Sequence, residues 1–464
     1  MARRRYGSRR KKRGIGLFLF LFLLIAAGAG AFYVYTSPKF EKTPPKIELA
    51  PKIYTNAKTP IDITISDNSA IKRAKVFVLS GGNEVVIYDQ SFLLPQNKKR
   101  LKINIPQELL KNSNTMELYV EVRDSSLWNF FSGNKALAKT TLLIDKNPPT
   151  ITLFAKSPAI WKGGVALAIA KVDDEDLDKV FIQVNKDLYF QPIKYKNENV
   201  YASLFVWPFN VENFKAKIVA IDKAGNKAEH FIDLPTRYKK YRVSKIEARD
   251  KFIDGKIKNL ALQDHDYANI TDRIERFKAV NELMRKKNED YIHTISKKVT
   301  PFEGTWDIKA FHPLRRAKKV ADFGDHRFYY YKNPDNIIST SYHLGLDLAS
   351  VKNDNIYSSN KGVVVSTKYN GIYGNMPLID HHFGLYTLYG HCSNVLVKKG
   401  QKVYPGEVIA KTGKTGLALG DHLHFGILVQ GVEVNPYEWL SQKWIKEYIL
   451  DIFNKADKII GYNK

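Results

Sequence analysis

In Gly420-Asp421-His422-Leu423-His424-Phe425, two histidines alternate with two apolar side chains. Successive side chains on a β-strand point to opposite faces, so His422 and His424 project from one face while Leu423 points to the other. Two imidazoles side by side can share one metal ion, or one can bind the metal while the other stands beside it. The pattern therefore predicts a strand with chemical groups on one face and core packing on the other.

Two further short motifs belong to the same part of the chain. One is His343-Leu344-Gly345-Leu346-Asp347, and the other is Tyr389-Gly390-His391. Eight of the eleven histidines fall within residues 299–440, where short apolar stretches alternate with glycines. Repeated short strands with glycine turns indicate a compact antiparallel β domain. The clustering of histidines in one domain favours a shared site over scattered structural roles.

The ligand requirements of zinc give these motifs a chemical meaning. A catalytic zinc takes three protein ligands, commonly histidine or carboxylate, and keeps a fourth position for water. His343, Asp347 and His424 would supply such a set, and the metal would lower the pKa of a bound water towards about 7. The proton and the developing oxyanion then need groups of their own, and His391 and His422 are the histidines left over.

The three motifs resemble the signature of the lysostaphin-type, LytM-like zinc metalloendopeptidases, which reads H-x-x-x-D, then Y-x-H, then H-L-H-F. The resemblance covers about residues 310–440. The turn Lys398–Val403, the turn Gly413–Gly416 and the pair Asn435-Pro436 stand where similar turns occur in that family. The combination of motifs and turns makes the match highly specific.

The resemblance implies a small antiparallel β domain with a narrow groove, a zinc cofactor and the peptide portion of peptidoglycan as substrate. By the same resemblance, His343, Asp347 and His424 are the zinc ligands. His391 and His422 are then expected to flank the bound water and the tetrahedral intermediate. A chain with this full set is expected to be a zinc metalloendopeptidase, that is, a peptidoglycan hydrolase.

Three positions depart from the family pattern without removing a ligand. Cys392 stands where leucine is usual, Asp421 where many members have proline, and Gly426 where many have glutamate. Cys392 is the only cysteine of the chain, so an intramolecular disulfide is excluded. A cysteine at a leucine position is expected to be a small apolar filler rather than a thiol nucleophile.

Upstream of the histidine-rich domain, two segments resemble each other at an offset of 104 residues. Residues 44–146 and 147–235 each open with a Pro-Pro pair followed by an alternating strand. Each also contains an acidic turn and a late strand that ends at an aspartate. Short alternating strands with this period predict two β-sandwich-like domains, and the segments resemble bacterial immunoglobulin-like domains.

Two regions have helical character. Residues 236–298 are expected to form a helical linker or a regulatory arm, with a helix from Asp264 to Lys297. Its apolar residues recur at helical spacing and should pack on a neighbouring domain; they are Ile274, Phe277, Val280, Leu283 and Met284. Residues 441–464 are expected to be a C-terminal helix that follows the metallopeptidase domain at 299–440.

The N-terminus predicts export of the chain. Residues 1–14 form a basic cytoplasmic tail, and residues 15–35 are an uncharged apolar stretch long enough to cross a membrane. Basic flanks stay in the cytoplasm, so the bulk of the chain should lie on the periplasmic or extracellular side of the cytoplasmic membrane. A retained single-pass anchor is favoured, with a signal peptide cleaved near Ala29-Gly30-Ala31 as the alternative.

Composition narrows the possible functions. A hydrophobic fraction of 44% is ample for packed cores and argues against wholesale disorder. The net charge of +26 attracts polyanions, but export and the lack of a nucleic-acid motif exclude nucleic acid as the expected partner. The sequence identifies no partner among the cell-wall machinery. The alternative to an enzyme is a membrane-anchored, non-catalytic scaffold or activator of other cell-wall hydrolases, which would have no need for stoichiometric metal.

Overall fold

The computed structural model describes residues 13–80, 83–94, 96–110 and 114–461. The chain forms two compact units, the first comprising Met1–Asn147 with Asp222–Asn226 and the second Pro148–Ile221 with Lys227–Lys464. Strands outnumber helices in both, and most strand pairs are antiparallel. The mainly β fold expected from the sequence is therefore confirmed.

The first unit opens with one apolar helix, Arg13–Thr36. Its segment Gly16–Thr36 has 21 residues and is apolar enough to cross a membrane, and its most apolar 18-residue window is not buried by the rest of the described chain. A membrane anchor and a signal sequence share this length and composition. A short 3₁₀ helix, Pro38–Phe40, follows and leads into the first sheet.

Two β-sheets of the first unit enclose one hydrophobic core. In spatial order, the smaller sheet contains Lys46–Glu48, Ile61–Ser66 and Lys98–Ile103. The larger sheet contains Lys52–Thr55, Lys135–Ile144, Thr115–Asp124, Ile71–Ser80 and Asn83–Ser91. Alternate residues of these strands point inward, as Ile61, Ile63 and Ile65 show, which is the period of two expected for a half-buried strand. Single helical turns occur at Gln107–Leu110 and Trp128–Phe131.

The second unit begins with two four-stranded sheets that share a core. The first contains Ile193–Tyr195, Asn197–Val206, Val165–Asp173 and Thr150–Lys156 in spatial order. The second contains Leu188–Phe190, Leu177–Val184, Ala216–Asp222 and Lys227–Phe231. A short parallel pair, Ile160–Trp161 with Thr236–Arg237, closes one end.

A helical arm follows, built from two continuous helical stretches. The first comprises Asp250–Phe252, the π-helical Ile253–Ile257 and Lys258–Leu262. The second comprises Arg273–Lys278, the π-helical Ala279–Met284 and Arg285–Ser296. Phe277, Val280 and Met284 are buried against the next domain, as expected, whereas Leu283 is exposed, contrary to the predicted stripe.

The predicted start of the long helix at Asp264 was wrong by nine residues. The helix begins at Arg273 because the Asp272 carboxylate accepts hydrogen bonds from the backbone N–H groups of Ile274 and Glu275 and caps the first turn. Residues 250–262 are also helical, although their basic, mixed composition gave no helix prediction.

An eight-stranded sheet forms the centre of the histidine-rich domain. Its spatial order is Lys318–Ala321, Leu346–Ala349, Leu423–Val429, Leu385–Gly390, Leu378–Asp380, Gly362–Ser366 and Lys402–Val403, with Val432–Val434 beside Leu423–Val429. A three-stranded sheet contains Val243–Glu247, His326–Tyr330 and Ile337–Tyr342, and another contains Asn355–Tyr357, Val408–Lys411 and Asn394–Val395. A 3₁₀ turn occurs at Gly371–Tyr373.

The C-terminal helices join the second sandwich to the histidine-rich domain. They comprise Pro436–Trp439, Gln442–Ile445, the π-helical Lys446–Leu450 and Asp451–Ile460. Trp439, Ile449 and Ile452 are fully buried in the core that both domains share. Tyr195 of the sandwich also donates a hydrogen bond to Asp457 over 2.7 Å. The terminal helix is therefore part of a continuous core.

Candidate metal centre and groove

Asp347 and His424 are brought together by strand pairing. They face each other across the antiparallel pair Leu346–Ala349 and Leu423–Val429. Directly opposed residues of antiparallel strands project from the same face of the sheet. The Nδ1 atom of His424 consequently lies 2.9 Å from Oδ1 of Asp347.

His343 completes a triangle with these two side chains. Its Nε2 atom lies 2.9 Å from Asp347 Oδ1 and 3.1 Å from His424 Nδ1. Two ligands of a tetrahedral zinc, each about 2.0–2.1 Å from the ion, are separated by roughly 3.3 Å. The three atoms are therefore spaced closely enough to share one ion after a small expansion.

The second nitrogen of each imidazole supports this interpretation. His343 Nδ1 lies 2.7 Å from the backbone carbonyl of Asp322, which places a proton on Nδ1 and leaves the lone pair on Nε2 facing the triangle. His424 Nε2 is buried and has no hydrogen-bond partner among the described residues. If this atom carries the proton, the Nδ1 lone pair also points into the triangle. The residues present thus fit a metal ion.

The protonation states favour metal binding. Burial would raise the pKa of Asp347, but the adjacent His343 and His424 rings outweigh it and hold that pKa well below its ordinary value. Burial lowers the pKa of His424 to about 4. At neutral pH the triangle therefore contains a carboxylate and a neutral imidazole, the forms that bind metals.

Gly345 makes the close approach of these groups possible. A Cβ atom at this position would lie 2.7 Å from His424 Nε2 and 2.7 Å from the carbonyl oxygen of Phe425. Only glycine leaves room for the turn between His343 and Asp347 to lie against the neighbouring strand. Glycine is thus required at the centre of the H-x-x-x-D motif because no larger residue fits there.

His391 and His422 lie beside the triangle. Their ring centres are 4.9 Å apart, and the His391 ring centre is 5.8 Å from that of His424. His391 Nδ1 lies 2.8 Å from the carbonyl oxygen of Thr415, and His422 Nδ1 lies 2.9 Å from that of Gly420. Each ring therefore has its Nδ1 proton engaged by backbone and its Nε2 atom available to the site.

The backbone holds His391 in an uncommon conformation. Its φ angle is 64°, in the left-handed region, and its N–H donates to the carbonyl of Tyr373 over 2.8 Å. Burial lowers the pKa of His391 well below its ordinary value, and the nearby His424 and His422 rings lower it further. Strained residues of this kind are often found at functional sites. His391 is accordingly a neutral, fixed imidazole at neutral pH.

A groove of about 1030 Å³ lies over the five predicted site residues, all of which line it. Much of the remaining lining comes from strand Val243–Glu247, the first stretch of the helical arm, strand His326–Tyr330 and the loop 417–421. A regulatory arm was one of the two expectations for residues 236–298, but the individual arm residues that reach the groove, Arg285 among them, were not predicted. Their contribution depends on tertiary packing, for which the sequence has no local signal.

Other residues considered from the sequence have structural surroundings. The Cys392 thiol is buried and donates to the Tyr389 carbonyl over 3.2 Å, and burial raises its pKa to about 12. His381 is buried between the Lys361 carbonyl and the Thr387 hydroxyl, each 2.7 Å away. Asp421 accepts a 2.6 Å hydrogen bond from Thr412. These contacts leave the triangle and its two flanking histidines as the candidate site.

The histidine-rich domain is a peptidase M23 domain. Residues 341–436 match the profile of Peptidase family M23, and this confirms the lysostaphin-type, LytM-like likeness of the motifs. The matched span includes all five predicted site residues and excludes both sandwiches and the helical arm.

Named relatives are similar to part of the chain. The chain is 43% identical over 93 residues to the peptidoglycan DD-endopeptidase ShyA of Vibrio cholerae, covering 20% of this chain and 22% of that protein. It is 37% identical over 129 residues to the peptidoglycan DD-endopeptidase ShyC of the same organism, covering 26% and 30%. The chain thus spans less than a third of the length of these relatives.

A solved structure of a zinc-containing peptidase from Vibrio cholerae is similar over a longer stretch. It is 15% identical, and the alignment covers 70% of this chain and 80% of that chain with a TM-score of 0.27.

Proposed function

We propose that this chain is a zinc metalloendopeptidase that hydrolyses peptide cross-links of bacterial peptidoglycan. The observation that carries the proposal is the triangle of His343 Nε2, Asp347 Oδ1 and His424 Nδ1, with edges of 2.9–3.1 Å, within the groove. The peptidoglycan DD-endopeptidases that share the M23 region support the substrate class.

In this proposal the three triangle residues are the ligands of one zinc ion. Zinc in such a site lowers the pKa of a bound water to about 7 and polarises the scissile carbonyl. The Asp322 carbonyl fixes the His343 tautomer, which keeps the ligand lone pair directed at the site.

His391 and His422 are proposed as the catalytic residues that handle the proton and the oxyanion. Both are anchored at Nδ1 by backbone carbonyls, so only Nε2 can accept a proton or donate one to substrate. The contacts of the His391 N–H with the Tyr373 carbonyl and of its Nδ1 with the Thr415 carbonyl hold that ring in place without substrate. Both rings therefore meet the peptide in a fixed orientation.

Metal analysis combined with product analysis tests the proposal. Full-length protein purified in detergent should contain about one zinc per chain, and a chelator should abolish release of fragments from purified peptidoglycan. Mass spectrometry of those fragments identifies the bond that is cut. A chain that binds no stoichiometric zinc yet supports wall hydrolysis by other enzymes would instead favour the non-catalytic activator.

We also propose that residues 15–35 anchor the chain in the cytoplasmic membrane, with the bulk of it outside the cytoplasm. The apolar helix and the peptidoglycan-acting relatives support a cell-envelope location. N-terminal sequencing of the mature protein tests the anchor: an intact N-terminus supports it, and a new N-terminus after Ala31 shows a cleaved signal peptide instead.

A further inference from the structure

One side of the groove is lined by cations that lie outside the matched M23 region. We call these residues the cationic wall: Lys245, Arg249, Lys251, Lys256, Arg285 and Arg327. All six precede residue 341, where the family match begins. The helical arm, its leading strand and strand His326–Tyr330 therefore bring positive charge to a site whose proposed metal ligands lie at residue 343 and beyond.

Ion pairs compensate the three arginines of the wall but none of its three lysines. Arg285 pairs with Glu289 over 4.0 Å and Arg327 with Asp325 over 3.3 Å. The lining itself contains three carboxylates, in Glu247, Asp347 and Asp421. Glu247 accepts a hydrogen bond from Arg249 over 3.0 Å, and Asp347 belongs to the metal triangle. Within the described residues, the three wall lysines, Lys245, Lys251 and Lys256, form no ion pair.

Lys256 connects the wall to the catalytic groups. Its ammonium donates to the carbonyl of Lys414 over 2.7 Å, next to Thr415, whose own carbonyl holds His391. Burial lowers the pKa of Lys256, so this ammonium has lost part of its hydration. A partly desolvated cation gains more from an anionic partner than a fully solvated one does.

The rest of the lining is apolar rather than anionic. Val320, Leu417 and Leu419 line the groove together with aromatic residues of the arm and of strand His326–Tyr330. Such a surface accommodates a peptide backbone and its aliphatic side chains, and the wall attracts negative charge. A cationic substrate would be repelled.

From this charge distribution we propose that the groove selects acidic peptides, with the cationic wall pairing with free carboxylates near the scissile bond. The inference rests on the proposed peptidase function and specifies its substrate class: cross-linked stem peptides with free carboxylates, in preference to amidated stems or neutral glycine bridges. Lys245, Lys251 and Lys256 act as specificity-determining residues.

Binding measurements on a matched pair of peptides test this independently of catalysis. The probes are two fluorescein-labelled, cross-linked stem-peptide dimers, one with free carboxylates and one with carboxamides in their place. Fluorescence anisotropy measures their binding to the zinc-loaded, full-length His391→Ala protein, which should not turn them over. The free-acid dimer should bind at least about fivefold more tightly at low salt, and the preference should shrink as salt screens the charges.

Lysine-to-glutamine variants locate the effect. Lys245→Gln and Lys251→Gln should each lower the preference by about twofold. The triple variant, which combines both with Lys256→Gln, should show no preference. Lys258→Gln, on the arm but outside the groove, is the matched control and should keep the full preference. The single variants at the exposed positions Lys245 and Lys251 still measure the contribution of each lysine if the triple variant folds poorly.

Cleavage of the same dimers by wild-type protein separates this inference from the proposed function. Cleavage without any preference between the dimers overturns the acidic-peptide inference and leaves the peptidase proposal intact. Selective binding without cleavage supports the inference and contradicts the peptidase proposal. Equal binding of both dimers in wild type and variants also overturns the inference.

Discussion

His424 lies directly opposite Asp347 on a neighbouring antiparallel strand, and its Nδ1 atom is 2.9 Å from the Asp347 carboxylate. The relation is maintained by the hydrogen bonds of the ladder, not by a loop. Two of the three proposed ligands are therefore positioned by the most rigid part of the domain, and the third, His343, reaches them from an adjoining turn.

His424→Ala and His391→Ala should both abolish peptidoglycan cleavage, for different reasons. Loss of His424 removes a proposed ligand, so bound zinc should fall from about one per chain to near zero. Loss of His391 should leave zinc in place and lower the rate by about 10²- to 10⁴-fold, as removal of an acid–base group does. Elemental analysis and chromatography of wall digests measure the two quantities.

His381→Ala is the matched histidine control for that pair. His381 is buried and hydrogen-bonded within the core of the domain, away from the groove. Its variant can lose stability but should retain zinc. A fully active His391→Ala protein would contradict the role proposed for His391.

Gly345→Ala should weaken both folding and metal binding. The new Cβ would lie 2.7 Å from His424 Nε2 and from the Phe425 carbonyl, and that backbone cannot move without disturbing the strand pair. Overpacking of this kind typically costs about 1–3 kcal/mol. Thermal unfolding followed by circular dichroism should show a lower Tm, and zinc content should fall.

Gly420→Ala is the control for the glycine substitution. Position 420 also lies beside the groove, but a Cβ there would meet no atom within 4 Å. Its Tm and zinc content should match wild type. A Gly345→Ala protein with wild-type Tm and zinc content would show that the turn can shift to accommodate the added Cβ atom.

Cys392→Ala should retain peptidase activity within about threefold. The thiol is buried, donates to the Tyr389 carbonyl, and has a pKa raised to about 12 by burial, so it is not a thiolate at neutral pH. Removal of the sulfur should cost about 1–2 kcal/mol of stability through the small cavity it leaves. Rates measured on the same wall substrate, and resistance of the folded wild type to iodoacetamide, check this expectation. Loss of activity in a folded Cys392→Ala protein would contradict the filler role and support Cys392 as a thiol nucleophile.

Glu438 should make the folded protein less stable as pH rises. Burial raises the pKa of Glu438 from 4.5 to about 8, while one carboxylate oxygen accepts a hydrogen bond from Val165 and the other has no described partner. Between these two pH values the folded state binds more protons than the unfolded state. The free energy of unfolding therefore falls from about pH 4.5 to about pH 8, by up to a few kcal/mol, and levels off above it.

Glu438→Gln should remove this contribution, because glutamine stays neutral across the range. Its Tm should vary less than that of wild type between pH 5 and pH 8 and should exceed it at pH 8. Glu447→Gln, which replaces a half-exposed glutamate on the following helix, is the control and should keep the wild-type pH profile. An unchanged profile in Glu438→Gln would mean that the buried carboxyl does not carry the effect.

The meeting of the candidate site residues was predictable because it depends on local rules. The two-residue period of a strand places His422 and His424 on one side, and the ladder then aligns His424 with Asp347. The directions of the His343 and His391 rings were not predictable. They are set by the backbone carbonyls of Asp322 and Thr415, and because every residue has a carbonyl, such contacts leave no mark in the sequence.

The first stretch of the helical arm lies outside the predicted helix, although its apolar residues recur at helical spacing. Ile253, Ile257 and Leu260 recur at helical spacing and are buried, so the first stretch of the arm was detectable despite its charge. The position of the arm along the groove could not be predicted, because it depends on the long-range pairing of strands Val243–Glu247 and His326–Tyr330. Local periodicity identifies an element but not its neighbour.

That pairing also limits how the groove can move. Strand Val243–Glu247 runs parallel to His326–Tyr330 through five matched residue pairs, which ties the arm into the sheet of the domain it borders. Detaching the arm would break these ladder bonds, each worth about 1 kcal/mol net, as well as uncover Phe277 and Val280. Widening the groove by releasing the arm is therefore costly, and we expect a ligand to enter it at the width that the ladder sets.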